Sequence, residues 1–253
     1  MSGTVVVTGA AGRIGRYLRH ADGGLAARGW TPVLVDVADP GEPFTRIDVA
    51  DEDALDHLSA VMSGATAVVH LAGIPHEDTW EAIRRTNIDG THRVLEAARR
   101  AGVRRVVVAS SCHAVGFYPA GEVARTDRPT RPDTFYGVSK VADEALASLY
   151  ADRHGMQTVC LRIGQCDDVP RTTFDLGIWL SPGDAVRLVD AALRGPVDGP
   201  TIAYGISANT RGWWDLTTAR ALGYEPQDDA ERYADAVVPY DGPPLLGSDM
   251  AAS

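Results

Sequence analysis

The chain has 253 residues and a formal net charge of −10, with 34 acidic side chains against 24 basic ones. No basic cluster forms a stripe that could neutralise phosphates, and no apolar run approaches the ~20 residues of a membrane span, so neither nucleic acid nor a bilayer is an expected partner. A hydrophobic fraction of 45% is that of an ordinary globular chain, and the length suits one α/β domain with a capping lobe better than two independent cores.

Met-Ser-Gly-Thr leads straight into a predicted strand over 4–8, without the charged-then-apolar leader that directs secretion, and cytoplasmic residence is the expectation. Gly9-Ala10-Ala11-Gly12-Arg13-Ile14-Gly15 follows at a strand-to-helix turn. Glycines at this spacing let the backbone bend tightly, approach a pyrophosphate and aim helix N-terminal amides at its charge. A tight turn without a ligand would carry the same glycines. A helix is predicted over 14–28 and a strand over 32–35. Asp36 closes that strand about 20 residues beyond the glycines, where an acid can accept hydrogen bonds from an adenosine ribose. A carboxylate there also repels a 2′-phosphate, which favours NAD over NADP. Arg13 and Arg16 could offset that charge, and Asp36 could instead cap a turn.

Asp48-Val49, where such folds often contact adenine, precedes a helix over 51–62. The next strand, 67–71, ends in Leu71-Ala72-Gly73, which leaves room for a cofactor. After a helix over 80–100 and a strand over 105–109, Ser110-Ser111-Cys112-His113 stands at the carboxyl edge of the sheet, where ligands bind in open α/β folds. A helix over 135–154 and a strand over 157–163, ending in Ile163, complete the regular part. Short Val-rich strands without strict alternation, separated by helices, define a doubly wound α/β fold whose Rossmann-type parallel sheet is covered on both faces.

Residues 1–165 are expected to form the dinucleotide-binding core with its catalytic helix, and 166–253 a small cap over the substrate. Within the cap, Ser181-Pro182 opens a helix with Ser as N-cap and Pro in the first turn. A strand near 201–204, the pair Trp213-Trp214 and a last helix around 230–236 follow. The tryptophans suit either sugar stacking or packing of the cap. The last dozen residues, rich in Pro, Gly and Ser, are expected to be loosely ordered.

Tyr136-Gly137-Val138-Ser139-Lys140 places a phenol and an ammonium four residues apart, on one face of a helix. A tyrosine acting as a base near neutrality needs its pKa of about 10 lowered by roughly 3 units, or about 4 kcal/mol of preferential stabilisation of the phenolate. A solvent-exposed ion pair supplies about 0 to 1 kcal/mol. The lysine is therefore expected in a desolvated pocket, assisted by the positive nicotinamide of an oxidised cofactor. Ser111 can hydrogen-bond the substrate oxygen whose proton Tyr136 removes. Cys112, Cys160 and Cys166 match neither a disulfide framework nor a metal site and are read as reduced thiols. Cys112 lies next to His113, but neighbours on a strand point to opposite faces, which argues against a thiol–imidazole pair.

Through Thr8-Gly-Ala-Ala-Gly-Arg-Ile-Gly15, His70-Leu-Ala-Gly73, Ser110-Ser111 and Tyr136-x-x-x-Lys140, the chain resembles the extended short-chain dehydrogenases of the NAD-dependent epimerase/dehydratase family. Within that superfamily it is similar to the uronate dehydrogenases. The matching segments are Ala109-Ser-Ser-Cys-His-Ala-Val-Gly-Phe-Tyr-Pro119, Arg131-Pro-Asp-Thr-Phe-Tyr-Gly-Val-Ser-Lys140, Leu161-Arg-Ile-Gly164 with Cys166, and Tyr204-Gly-Ile-Ser-Ala-Asn-Thr-Arg-Gly-Trp-Trp-Asp215. The resemblance implies NAD as cofactor, with Ile163 among its contacts, and Ser111, Tyr136 and Lys140 as catalytic trio. It implies transfer of a hydride from the anomeric carbon of a hexuronic acid, giving an aldarolactone. It also implies that Cys112, His113 and Gln165 lie at the substrate, although His113 could equally buttress the strand end, and that the helices at 80–100 and 135–154 form a homodimer interface.

Several pocket positions depart from that family. Cys112 stands where it has Asn, and Pro75 and Gln165 stand where it has Ser. Phe174 aligns with the arginine that holds the carboxylate, with Arg171 three residues earlier, and the family's Gly-Gly-x-Phe segment has no counterpart. The expected activity is an NAD-dependent oxidation of a hydroxyl-bearing carbon in a small sugar, sugar acid or similar polyhydroxylated compound. The alternatives are an epimerase or dehydratase acting on a nucleotide sugar, for which residues 164–253 make a small lid, and a non-catalytic NAD-binding regulator.

Overall fold

The computed structural model describes residues 3–248. Strand β1 (Gly3–Thr8) is a run of valines with Val5, Val6 and Val7 shielded from solvent. Because side chains alternate across a strand, Val5 and Val7 enter one apolar cluster and Val6 the other. Strands covered on both faces pair in parallel. β2 (Trp30–Asp36), β3 (Thr45–Arg46), β4 (Ala67–His70), β5 (Arg105–Ser111) and β6 (Gln157–Ile163) follow in the chain. Two short strands, β7 (Gln165–Cys166) and β8 (Trp179–Leu180), form a ribbon of their own, and β9 (Thr201–Gly205) returns to the main sheet. The main sheet is parallel throughout, in the order β3-β2-β1-β4-β5-β6-β9.

Helices cover both faces, as the sequence led us to expect. They are α1 (Arg13–Leu18), α2 (Ala54–Val61), α3 (Trp80–Ile83), α4 (Gly90–Arg100), α5 (Phe135–His154), α6 (Asp175–Ile178), α7 (Pro182–Arg194) and α8 (Thr217–Ala221). Leu18 of α1 and Leu188 and Ala192 of α7 join the cluster around Val5; Leu58 of α2, Val94 of α4 and Ala147 of α5 join that around Val6. Part of the stretch 166–253 therefore completes the sheet and its cover, through β9 and α7. The order reverses at β1, with β2 on one side and β4 on the other, and this opens a crevice where Thr8 lies in register with His70. No helix of the described residues is long and apolar enough to cross a membrane.

Three expected helices differ. The one predicted over 14–28 stops at Leu18, because Leu25 N turns back to donate to Leu18 O (2.7 Å) and Gly24 passes too close to that carbonyl to bear a side chain. The one predicted over 80–100 is interrupted by a π-helical turn at Arg84–Asp89. That wider turn presents Asn87, which accepts from Ile74 N (2.8 Å) and donates to Ser139 Oγ on α5 (3.0 Å). The last, around 230–236, is a single 3-10 turn at Ala230–Tyr233. The chain end expected to be loose is docked as far as it is described: Leu246 N donates to Tyr118 O (2.8 Å), Gly247 N to Gly116 O (3.0 Å), and Leu246 is buried. Residues 249–253 of that expectation lie outside the described residues.

Candidate active site

The dinucleotide end is shaped by backbone. Gly9 has φ +73°, and a Cβ there would fall 2.5 Å from Ala72 N. At Gly15 a Cβ would fall 2.5 Å from both Ala10 O and Gly9 O, so α1 presses directly on the turn. At Gly12 a Cβ would meet Gly9 O alone, at 3.3 Å, which leaves open space beside the α1 N-terminus for a pyrophosphate. Asp36 braces this turn: Oδ2 accepts from Ala11 N (2.8 Å) and Oδ1 from Ala38 N (2.9 Å), and each oxygen keeps a lone pair for a ribose hydroxyl. Arg13 pairs with Asp167 (3.4 Å) and Arg16 with Asp168 (3.1 Å), so both cations that could offset Asp36 are engaged elsewhere. Arg46 of β3, in register with Asp36 and hydrogen-bonded to Val37 O, is a nearby cation that the sequence reading missed.

The remaining expected cofactor contacts are each placed by the fold. Ile14 packs on the core; Asp48 folds onto Ala50 N (2.9 Å), and Val49 is buried. Leu71, Ala72 and Gly73 are half-buried beyond β4, and Ile163 ends β6 in register with Ser111.

The chemical end is built on the first turns of α5. Thr134 caps the helix, its hydroxyl accepting from Gly137 N (2.8 Å), while the Glu77 carboxylate accepts from Phe135 N (3.0 Å) and Tyr136 N (2.9 Å). Those amides have no partner inside the helix, and Glu77 supplies one from 59 residues away. Tyr136 and Lys140 are buried on the same face, with Nζ 5.5 Å from the phenol ring centroid. The expected desolvated setting of the lysine is thus present. Burial nevertheless holds the Tyr136 phenol above its ordinary pKa, although Lys140 and the Ser111 hydroxyl both favour the phenolate. Part of the ammonium's charge is matched by Asp143, whose Oδ2 lies 3.1 Å from Nζ.

Ser111 ends β5, and its Oγ accepts from His113 N (3.3 Å) to start a 3-10 turn at Cys112–Val115. Cys112 and His113 therefore sit on a turn, which corrects the strand geometry used above to keep thiol and imidazole apart. What makes Cys112 inert is burial, which pushes the thiol up to about 12. The His113 ring meets Tyr136 edge-on, with centroids 5.6 Å apart, and its Nδ1 lies 2.9 Å from Asp133 Oδ2. The carboxylate can only accept, so Nδ1 carries a proton, and in the neutral ring Nε2 is the acceptor. Asp133, 0% exposed, occupies space that a Cβ on Gly116, Gly137 or Gly247 would invade. Asp133 escaped attention as a site residue; an acid closely preceding a catalytic helix was its one sequence signal. Behind the site, Arg162 of β6 grips Glu144 of α5 through two bonds of 2.8 Å, and Ser110 donates to the same carboxylate (2.7 Å).

On the cap side, Phe174 lies against Trp213 (5.5 Å) and Tyr240 (4.9 Å) and, with Thr173, Gly177 and Arg211, lines a cleft of about 370 Å³. Arg171 is 66% exposed and paired with Asp167 (2.6 Å), and Arg211 is paired with Glu231 (2.8 Å). Gln165 is half-buried in the β7–β8 ribbon. Of the two tryptophans, Trp214 is buried against Tyr204 (4.9 Å), whereas Trp213 borders the cleft.

A glycine cradle at the switch point of a parallel sheet, facing a buried tyrosine and lysine, defines a dinucleotide-binding α/β protein with acid–base groups. The chain belongs to the NAD dependent epimerase/dehydratase family, whose sequence pattern matches residues 5–166. It is 39% identical over 242 residues to a uronate dehydrogenase of Agrobacterium fabrum, covering 95% of this chain and 90% of that one. It is 37% identical to an L-arabinose 1-dehydrogenase (NAD(P)(+)) of Haloferax volcanii, over 89% of this chain and 97% of the relative. A crystal structure of a uronate dehydrogenase mutant from Agrobacterium tumefaciens complexed with NAD superposes with a TM-score of 0.89 at 35% identity, covering 100% of this chain and 98% of that one.

Proposed function

We propose that the protein is an NAD-dependent dehydrogenase that takes a hydride from a hydroxyl-bearing carbon of a small sugar or sugar acid. The observation that carries this reading is the buried pair Tyr136 and Lys140, with Ser111 beside the phenol, at the crevice opened by the glycine turn. NAD, when bound, would supply the hydride acceptor, and its oxidised nicotinamide would add positive charge to the site. Tyr136 removes the proton of the reacting hydroxyl, and Ser111 hydrogen-bonds the same oxygen. Lys140 favours the phenolate, and His113, held by Asp133, offers Nε2 to a neighbouring hydroxyl. Asp36 would hold the adenosine ribose.

Within that class, the cap favours an uncharged sugar over a uronate. An aromatic ring stands at Phe174, and the nearby Arg171 and Arg211 are already paired with Asp167 and Glu231. An aromatic face stacks on C–H groups but cannot replace a bidentate guanidinium. A homodimer contact fits the exposed Val138 and Leu149 of α5.

The test is a panel of aldoses and hexuronates with NAD, and NADP alongside, followed by NADH absorbance. Reduction of NAD by neutral aldoses in preference to hexuronates is the expected result. Turnover of a sugar without net reduction would transfer the assignment to an epimerase, and no turnover of any sugar would sink it.

A further inference from the structure

Lys140 is not a free ammonium. Asp143 lies one turn further along α5 on the same face, fully buried, with Oδ2 3.1 Å from Nζ. Its other oxygen, Oδ1, is buried and makes no hydrogen bond of normal geometry, although the Thr91 hydroxyl beside the carboxylate favours its charge. Burying a carboxylate with one oxygen unsatisfied is costly, and such a group in a well-packed site calls for an explanation. Asp143 is also the inner end of a polar line through the core. Thr91 of α4 lies beside it, and Thr91 Oγ1 is 3.0 Å from His70 Nε2, while His70 Nδ1 is 2.7 Å from Thr8 Oγ1. The line thus runs from the end of β1, beneath the crevice, to the catalytic face of α5. None of the steps assigned to Ser111, Tyr136 and Lys140 uses it.

We infer that Asp143 is a positioning residue for the catalytic lysine: it holds Nζ in place beside Tyr136 and, by matching part of its charge, sets the pH range in which the phenol gives up its proton. The inference rests on the reading of Tyr136 as the base.

The neighbouring groups leave this pair in control. Burial pulls the lysine down, and Asp143 and Tyr136 outweigh it, so the ammonium stays above its ordinary value. Burial pushes the Asp143 carboxyl up, against Lys140 and Thr91. His70, from β4, is pushed down to about 3 and is neutral. The thiols of Cys112, pushed up to about 12, and of Cys160, raised well above its usual range, are neutral too. Glu144 is matched by Arg162, and Asp133 faces His113. Asp143 disfavours the phenolate through its own charge. Removing that charge lowers the pKa of Tyr136, and it also lowers that of Lys140, whose burial Tyr136 then opposes without Asp143.

Tyr136 can be titrated without a substrate, as the phenolate absorbance of the protein minus that of its Tyr136→Phe variant, with and without NAD. In an Asp143→Asn background, the Tyr136 midpoint is expected to fall by about one unit or more. The acid and alkaline limbs of kcat/KM should both move to lower pH, on any sugar that the unmodified enzyme oxidises. A midpoint that stays in place or rises overturns the inference, even if the melting temperature drops, because a purely structural role changes stability alone. If Asp143→Asn does not fold, Asp143→Ala removes the charge without burying an amide, and the same shift is required of it. Absence of sugar oxidation with a lowered midpoint would count against the proposed activity and for the role of Asp143; oxidation with an unmoved midpoint would do the opposite.

Discussion

The two ends of the crevice are held by different kinds of contact. At the dinucleotide end, Gly9 and Gly15 bring main chain against main chain, and Asp36 ties the turn to β2 through Ala11 N. Around the proposed sugar end, the contacts are between side chains: Phe174 against Trp213 and Tyr240, and His113 set by Asp133. Backbone contacts at such distances admit almost no substitution, whereas a ring can be exchanged for another group while the framework stays. On the proposed reading, the cofactor is thereby tied to the fold, and the substrate is set by a few replaceable positions.

That contrast can be broken most sharply at Tyr136, where the two ends meet. Tyr136→Phe should lower kcat by about 10²- to 10⁴-fold, the usual worth of a general base, while NAD affinity measured by fluorescence titration stays within a few-fold. Parallel loss of both would show that the two ends are not separable. Gly15→Ala should do the reverse: it destabilises the fold by about 1–3 kcal/mol through overpacking, read by urea melts, and weakens NAD binding.

A smaller effect, graded with pH, is expected at His70, buried between Thr8 and Thr91 and pushed by burial to about 3 from 6.5. Between those values the unfolded chain binds a proton that the native state refuses, so stability falls as pH drops through this window. The slope contributed is about 1.4 kcal/mol per pH unit. His70→Gln should flatten that part of a urea-melt series, and an unchanged slope would show that His70 does not titrate as the structure implies. The smallest effect concerns the sugar end. Phe174→Arg should raise kcat/KM for a hexuronate relative to a neutral aldose by about tenfold, the value of one charge-assisted hydrogen bond of roughly 1.5 kcal/mol. A preference left unmoved would mean that position 174 does not face the substrate.

Much of the dinucleotide end was legible because its determinants are consecutive: a valine strand, glycines spaced by three and an acid at the next strand end. The pairing of Tyr136 with Lys140 was legible for the same reason, since helix geometry alone puts residues four apart on one face. Asp143, at i+3 from that lysine, lay within reach of the same rule, but its burial is decided by the elements packed on α5. The early end of α1 was signalled by Gly23 and Gly24, which the apolar periodicity over 14–28 overrode.

The sequence by itself determined the longer strands and their intervening helices, the glycine turn and the acid–base face of α5, because each depends on neighbours within a few turns or one strand. Tertiary structure alone decided that Glu77 caps α5, that Asp133 orients His113, that the chain end docks on Tyr118 and Gly116, and that the cap presents paired arginines and aromatic rings. Those contacts join segments far apart in the chain, where no periodicity or spacing rule applies and only the closed fold sets the distances.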